Sequence, residues 1–341
     1  MSLIPALHQV AERRDLSAAD AQAAMRTILA GEASPAQIAA FLVALRMKGE
    51  SVDELVGFAR AMRRAARRVE AEGMLVDTCG SGGDGCSTFN ISTIAAFVIA
   101  GCNISVAKHG NRSISSRCGS ADLMESLGVN IAQDPEEMAR ALREIGIAFL
   151  FAPVIHTAMK HAQPVRADLK MRTVFNLLGP LTNPAGAAFQ LVGAPSETAA
   201  ELMAGALSDL GLARGYVVHG SDGLDEITTT GPTLAFEINL RRVRRRQLEP
   251  KDFGVPVAKP EDLTGGDAAE NRDIALRILD GELGPKRDIV LVNAAAALVA
   301  FGLAGHFIEG MKFAAGSIDS GGARAKLDSL VRFTNKRSYF E

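Results

Sequence analysis

The residues with the clearest chemical potential lie between Val76 and Gly101, in the run VDTCGSGGDGCSTFNISTIAAFVIAG. An apolar strand is expected to lead into Gly80-Ser81-Gly82-Gly83-Asp84-Gly85, with a helix starting near Asn90 or Ser92. Glycines let backbone amides approach an anion closely, and a helix start adds unpaired N–H groups at the positive end of its dipole. The chemistry implied is phosphate or pyrophosphate binding. Gly80, Gly82 and Gly85 also satisfy G-x-G-x-x-G, but a dinucleotide site needs an acid roughly 20 residues further on for the ribose 2′-hydroxyl. From Gly85 through Ala121, 37 residues, there is no Asp or Glu, so an NAD-dependent dehydrogenase is not supported. The loop also lacks the Lys-Ser/Thr ending of a Walker A motif. The same span holds Lys108, His109, Arg112 and Arg117 with the hydroxyls of Ser113, Ser115, Ser116 and Ser120, which suits a ligand more anionic than NAD.

Two further motifs follow expected strands. Lys108-His109-Gly110-Asn111-Arg112 would lie beside the glycine loop at the carboxyl edge of a sheet. His219-Gly220-Ser221-Asp222-Gly223-Leu224-Asp225-Glu226 would follow another strand. Adjacent carboxylates beside a polyphosphate are what Mg²⁺ requires, because a hard cation held by one or two carboxylates can bridge protein to substrate phosphate. An Asp-Glu pair alone is usually only solvated; three strand-end motifs together favour the functional reading.

The elements that must carry these loops are legible in outline. Before residue 70, Ser17, Ser34-Pro35-Ala36-Gln37 and Ser51-Val52-Asp53-Glu54 each offer a side-chain cap ahead of an apolar-periodic run, so three short helices are expected. After Gly73, apolar runs at Met74–Thr78, Ile104–Ala107, Ile147–Phe151, Phe189–Val192 and Gly215–His219 alternate with helical segments such as Asp134 to Ile145 and Ser196 to Leu210. Alternation of this kind implies a largely parallel sheet covered by helices, with ligands at the carboxyl ends of its strands. The fold class expected is α/β: a small all-helical N-terminal domain, residues 1–72, and a larger α/β domain, residues 73–341, with a mostly parallel central sheet.

Composition agrees with this class. The chain of 341 residues is 48% apolar and 22% charged, with 15 Phe, two Tyr and no Trp, so its core must rely on closely packed aliphatic side chains. Its 37 basic and 39 acidic residues give a net charge of −2, against bulk affinity for nucleic acid or anionic membrane. The arginine runs 63–68 and 241–246 read first as solvated faces. The longest apolar stretch, Ile289 to Gly305, is interrupted by Asn293, and the N-terminus lacks a signal-peptide pattern, so a cytoplasmic location is expected. Cys79, Cys86, Cys102 and Cys118 contain no CxxC pair and read as reduced packing residues around the glycine loop.

The loop GSGGDGCSTFNIST, the segment KHGNRSISSRCGSAD, RTVFNLLGPLTNP (Arg172 to Pro184), GLDEI and GGDAAEN (Gly265 to Asn271) resemble the anthranilate phosphoribosyltransferases in type and order, over nearly the whole chain. The resemblance implies a nucleoside phosphorylase-like fold and Mg²⁺-dependent transfer of the 5-phosphoribosyl group from phosphoribosyl pyrophosphate to the amine of anthranilate, releasing pyrophosphate in tryptophan biosynthesis. It implies a homodimer joined through the helical domain, to which a segment near 165–185 returns. By the same resemblance Gly80, Gly83, Asp84, Thr88, Asn90, Ile91, Ser92, Thr93, Lys108, His109, Gly110, Asn111, Arg112, Ser113, Ile114, Ser115, Ser116 and Ser120 hold phosphoribosyl pyrophosphate. Ser92, Asp225 and Glu226 coordinate Mg²⁺, and Gly80, Asn111 and Arg166, with His109 and His156 nearby, bind anthranilate. No general base is assigned, since an aromatic amine is already unprotonated at neutral pH. The chain departs from the common family pattern at Ser81 for Thr, Cys118 for Ser, Thr157 for Pro and Lys170 for Gly.

Two other readings remain to be weighed. A pyrimidine nucleoside phosphorylase shares this architecture, but its phosphorolytic site has no obligatory Mg²⁺ for the Asp225-Glu226 pair to hold. A nucleic-acid binder built on the two arginine runs would have no need of either the glycine loop or the acidic pair.

Overall fold

The computed structural model describes residues 2–82, 86–113 and 117–336. Four helices open the chain: α1 Ile4–Ala11, α2 Ala18–Leu29, α3 Pro35–Lys48 and α4 Val52–Ala65. The last three follow their caps. Ser17 accepts from Asp20 N–H, while Ser34 with Gln37 and Ser51 with Glu54 close capping boxes that satisfy first-turn amides in both directions. The first helix was not expected, because Leu3 stands at its cap position and offers no side-chain hydrogen bond. α2 and α4 approach so closely that a Cβ on Gly57 would meet the Ala18 carbonyl oxygen.

Strands and helices then alternate: β1 Leu75–Gly80, α5 Ile91–Gly101, β2 Ser105–Gly110, α6 Ser120–Ser126, α7 Pro135–Ile145, β3 Ile147–Phe151, α8 Ala152–Ile155, α9 Gln163–Leu169 and α10 Phe175–Leu178. There follow β4 Phe189–Gly193, α11 Glu197–Asp209, β5 Arg214–Gly220, β6 Thr233–Asn239, β7 Arg242–Leu248, α12 Ala268–Leu279, α13 Pro285–Phe301, α14 Phe307–Asp319 and α15 Gly322–Asn335. The seven strands form one sheet in the order β3-β2-β1-β4-β5-β6-β7, parallel from β3 to β5 and antiparallel in the last two pairings. β6 was not anticipated. The arginine run 241–246 falls largely on β7, where Arg242 to Gln247 are exposed, as expected of a solvated face. The other run is less uniform: Arg63 turns inward and donates to the Leu181 carbonyl at 2.7 Å.

Strand residues alternate between the two faces of the sheet. Val76, Val106, Phe189, Leu191, Tyr216 and Val218 join one core with α5, α13 and α15. Cys79, Val192 and Val217 face a second core that also takes in the N-terminal helices, α11, and Ala162, Val165, Phe175 and Leu178. The alanine-rich α13 is buried from Ile289 to Ala300, and Asn293, which interrupts that apolar run, is satisfied by donating to the Ile227 and Ile289 carbonyls at 2.9 Å each. Among the described residues no helix is long and apolar enough to cross a membrane.

The strand order matters for function. β1 lies between β2 and β4, so the chain runs outward on both sides of it; in open α/β sheets such a switch point forms, at the carboxyl ends of the strands, the crevice where ligands bind.

Candidate functional site

At the top of β1, Gly80 pairs in register with Gly193 of β4, and Ser81 N–H donates to the Gly193 carbonyl at 3.0 Å. The strand then turns at Gly82, whose φ of +71° lies in the left-handed region that glycine adopts without strain. The Gly82 peptide is held from both sides. Its N–H donates to Asp225 Oδ2 at 2.7 Å, and its carbonyl accepts from Arg172 Nη2 at 3.0 Å. Gly80 and Gly193 must lack side chains because Asp225 packs directly over them: a Cβ on Gly80 would overlap the Asp225 carboxylate, and one on Gly193 would overlap the Asp225 carbonyl. Glu226 reaches the adjacent helix. Its Oε1 accepts from Ser92 N–H at 3.1 Å, satisfying a first-turn amide of α5 that the Asn90 side chain does not cap. Asp225 and Glu226 are 8% and 7% exposed, so both carboxylates are withdrawn from bulk water beside the glycine loop.

The second arm leaves β2. Lys108 is 1% exposed, and its ammonium donates to the Thr78 carbonyl at 2.6 Å, so it lies beneath the crevice rather than projecting from it. Burial pulls its pKa down, while Asp77, Cys79, Glu226 and Asp225 act in the opposite sense. Asp77 is fully buried on β1. It accepts from His109 N–H at 3.2 Å and from Asn183 Nδ2 at 2.8 Å, tying the start of the second arm to the first. Beyond Gly110 the chain folds back on itself: Ser120 Oγ accepts from Asn111 N–H and donates to its carbonyl, both at 3.2 Å. Arg112 is spoken for in this structure. Its guanidinium bonds Asp122 at 2.9 Å and Glu125 at 2.6 Å and 2.9 Å, and these partners raise its pKa. The acid-free window ends one residue before Asp122, and the helix α6 brings that acid and Glu125 back onto the arginine. Asp122 also accepts from the N–H groups of Ser113 and Gly119, so it organises both ends of the arm.

A third group gathers on the side of the second core. The rings of His109 and His156 lie 5.2 Å apart. Burial drives both imidazoles toward neutrality, His109 to about 3 and His156 to about 4, with His156 adding to the effect on His109. His109 Nδ1 faces the Gly179 carbonyl at 3.2 Å, and the Nε2 atoms of both rings have no hydrogen-bond partner among the described residues. Arg166, on α9, lies over the Phe175 ring with its guanidinium carbon 5.1 Å from the centroid and bonds Gln163 Oε1 at 3.3 Å. It has no acidic partner among the described residues, and desolvation lowers its pKa. Lys170, the position at which glycine is common, has φ of +46° at the end of α9, which accounts for that preference.

The remaining expected residues are placed as follows. Thr88 forms an isolated bridge with Thr264, and Asn90 leads into Ile91, Ser92 and Thr93 of α5. The Thr93 and Ser81 hydroxyls are buried without a hydrogen-bond partner among the described residues. Gly83, Asp84, Ile114, Ser115 and Ser116 lie outside the described residues. Three of the four cysteines lie near the glycine loop, but Cys102 does not: it ends α5 at the far side, with its thiol toward the Phe313 carbonyl. Asp77, Arg172, Asn183 and Asn271 were given no role from sequence, although all four stand in the segments quoted above.

Residues 72–324 match the family described as the glycosyl transferase family, a/b domain, and residues 4–66 match its helical bundle domain. An anthranilate phosphoribosyltransferase of Solibacter usitatus is 66% identical over 99% of this chain and all of its own length. The chain belongs to the anthranilate phosphoribosyltransferase family. Among solved structures, the anthranilate phosphoribosyltransferase of Thermus thermophilus superposes with a TM-score of 0.92 at 44% identity, covering 96% of this chain and 99% of its own. That of Saccharomyces cerevisiae, in complex with phosphoribosyl pyrophosphate and magnesium, superposes at 0.90 with 28% identity and 97% coverage of each chain.

The buried histidines have a thermodynamic consequence. Below their ordinary pKa near 6.5, the unfolded chain takes up protons that the folded imidazoles refuse, so stability must fall as pH drops from about 6.5 toward 4. Above that window the pair contributes no pH dependence. NMR of the imidazole rings in the folded protein should show no titration of His109 or His156 between pH 5 and 8; an inflection near 6.5 for either would show that it is solvated.

Proposed function

We propose that this chain transfers the 5-phosphoribosyl group of phosphoribosyl pyrophosphate to the amine of anthranilate, giving N-(5-phosphoribosyl)anthranilate and pyrophosphate, the tryptophan-biosynthetic reaction of its family. The observation that carries this reading is the meeting of the Gly80–Gly82 turn, the start of α5 and the Asp225-Glu226 carboxylates at one crevice. Displacing pyrophosphate from the ribosyl C1 builds positive charge on the sugar and negative charge on the departing group, so stabilisation is mainly electrostatic. The positive end of the α5 dipole favours the anion, and Lys108 adds positive potential from below. Thr88, Asn90 to Thr93, Gly110 to Ser113 and Ser120 would complete the phosphate and ribose contacts, together with Gly83, Asp84 and Ile114 to Ser116.

Mg²⁺ suits the oxygen donors of Asp225 and Glu226, with the Ser92 hydroxyl beside them. Among the described residues no group of three or more His, Cys, Asp or Glu side chains could hold a metal, so an ion here would take further ligands from water and substrate phosphate. When bound, it would neutralise charge on the pyrophosphate.

Anthranilate fits the His109, His156 and Arg166 side of the crevice, with Gly80 and Asn111 at its inner end. Two neutral imidazoles suit an aromatic amine that needs no strong base, and a guanidinium without an acidic partner among the described residues suits a carboxylate through two parallel hydrogen bonds. A homodimer joined through helices of the 1–72 unit, together with the 165–185 segment, is part of the same proposal; the exposed Met47 of α3 supports a contact there.

The purified protein should consume anthranilate, seen as loss of its fluorescence, only when phosphoribosyl pyrophosphate and Mg²⁺ are both present; no loss at any Mg²⁺ concentration rejects the assignment. Arg166→Ala should raise the anthranilate KM by about tenfold or more, the scale of one lost charged hydrogen-bonded pair, with little change in that for phosphoribosyl pyrophosphate. Equal effects on both would place the arginine elsewhere in the reaction.

A further inference from the structure

The GGDAAEN segment is not explained by the contacts described so far. It docks onto the exit arm of the glycine loop: Gly265 N–H donates to the Ser87 carbonyl at 2.8 Å, next to the Thr88–Thr264 bridge. Lys286 braces this contact by donating to the Thr264 carbonyl at 2.5 Å, with its ammonium 5.3 Å from the Phe89 ring centroid. Behind it, Asn271 is 1% exposed in the first turns of α12.

The hydrogen bonds of Asn271 leave no freedom in how its amide is oriented. Gly266 N–H can only donate, and it lies 2.8 Å from Asn271 Oδ1. Asn271 must therefore turn its NH₂ the other way, where Nδ2 donates to Asn90 Oδ1 at 3.0 Å. Cys118 Sγ approaches the same Asn90 oxygen at 3.3 Å, a second donor toward it. Asn90 then has its NH₂ fixed in turn. One hydrogen goes to the Cys118 carbonyl at 3.1 Å, and the other, at the start of α5, has no hydrogen-bond partner among the described residues. With the opposite flip, Asn90 would present a carbonyl oxygen to an anionic ligand at that place.

We propose that Asn271 is a positioning residue for the phosphoribosyl pyrophosphate site, fixing the Asn90 amide as a donor through the relay Gly266 N–H, Asn271, Asn90. This rests on the reading that Asn90 contacts that substrate. Asn271→Asp keeps the shape and still accepts from Gly266, but it turns an acceptor toward Asn90 Oδ1. Asn271→Ala removes the donor without adding an acceptor.

Steady-state kinetics with each substrate varied at saturating levels of the other, on wild type, Asn90→Ala, Asn271→Asp and Asn271→Ala, tests the relay. The expected result is a rise of about tenfold in the phosphoribosyl pyrophosphate KM for Asn271→Asp and a smaller rise for Asn271→Ala, with the anthranilate KM within about twofold throughout. A purely structural role predicts a different pattern, with both KM values rising together. That pattern, or an unchanged phosphoribosyl pyrophosphate KM in both Asn271 variants while Asn90→Ala raises it, overturns the relay. Should Asn271→Asp fail to fold by thermal melting, the selective rise in Asn271→Ala decides. An unchanged value in Asn90→Ala overturns the Asn90 contact itself, and the relay with it.

Discussion

The crevice depends on one hydrogen bond, from Gly82 N–H to the Asp225 carboxylate. It joins the turn after β1 to the loop after β5, although β4 lies between the two strands. Both glycine requirements at the sheet's edge follow from it, since Gly80 and Gly193 give the Asp225 residue room to cross over their backbones. The neighbouring Glu226 extends the same clamp to α5. A carboxylate pair thus shapes the loop proposed to receive a polyanion. Like charges would then meet, and a divalent cation between them removes the conflict.

Beneath the clamp lies a second charged layer. Asp77 and Lys108 stand on adjacent parallel strands, both essentially without solvent exposure, and each shifts the other toward its charged form against the cost of burial. Hydrogen bonds from His109 N–H and Asn183 to Asp77, and from Lys108 to the Thr78 carbonyl, satisfy the pair locally. The arrangement fixes the relative height of the first two arms. On the far side, burial keeps His109 and His156 neutral.

What could be read from sequence was whatever lies in short contiguous runs. Capped helices, apolar strands, the glycine loop and the Asp225-Glu226 pair all declare themselves within about ten residues, because turn chemistry and periodicity are local. Relations across the fold were not legible. Asn271 and Asn90 are 181 residues apart, and Asp77 and Asn183 are 106 apart, yet each pair shares a hydrogen bond that decides a side chain's orientation. Arg112 shows the opposite hazard: counting acids in a linear window left it a free cation, whereas one turn of α6 returns Asp122 and Glu125 to it. β6 was missed although Thr233–Asn239 has an apolar strand pattern, and α1 because it lacks a capping side chain.

Phosphoribosyl pyrophosphate is proposed to enter this crevice as a magnesium complex against the Asp225 and Glu226 carboxylates. Calorimetric titration of that ligand, with Mg²⁺ and with excess chelator, into wild type and Asp225→Asn addresses it directly. Wild-type affinity should fall by about tenfold or more when Mg²⁺ is withdrawn, and the difference should narrow in Asp225→Asn, where both repulsion and chelation weaken. Equal affinity with and without Mg²⁺ in the wild type would contradict it.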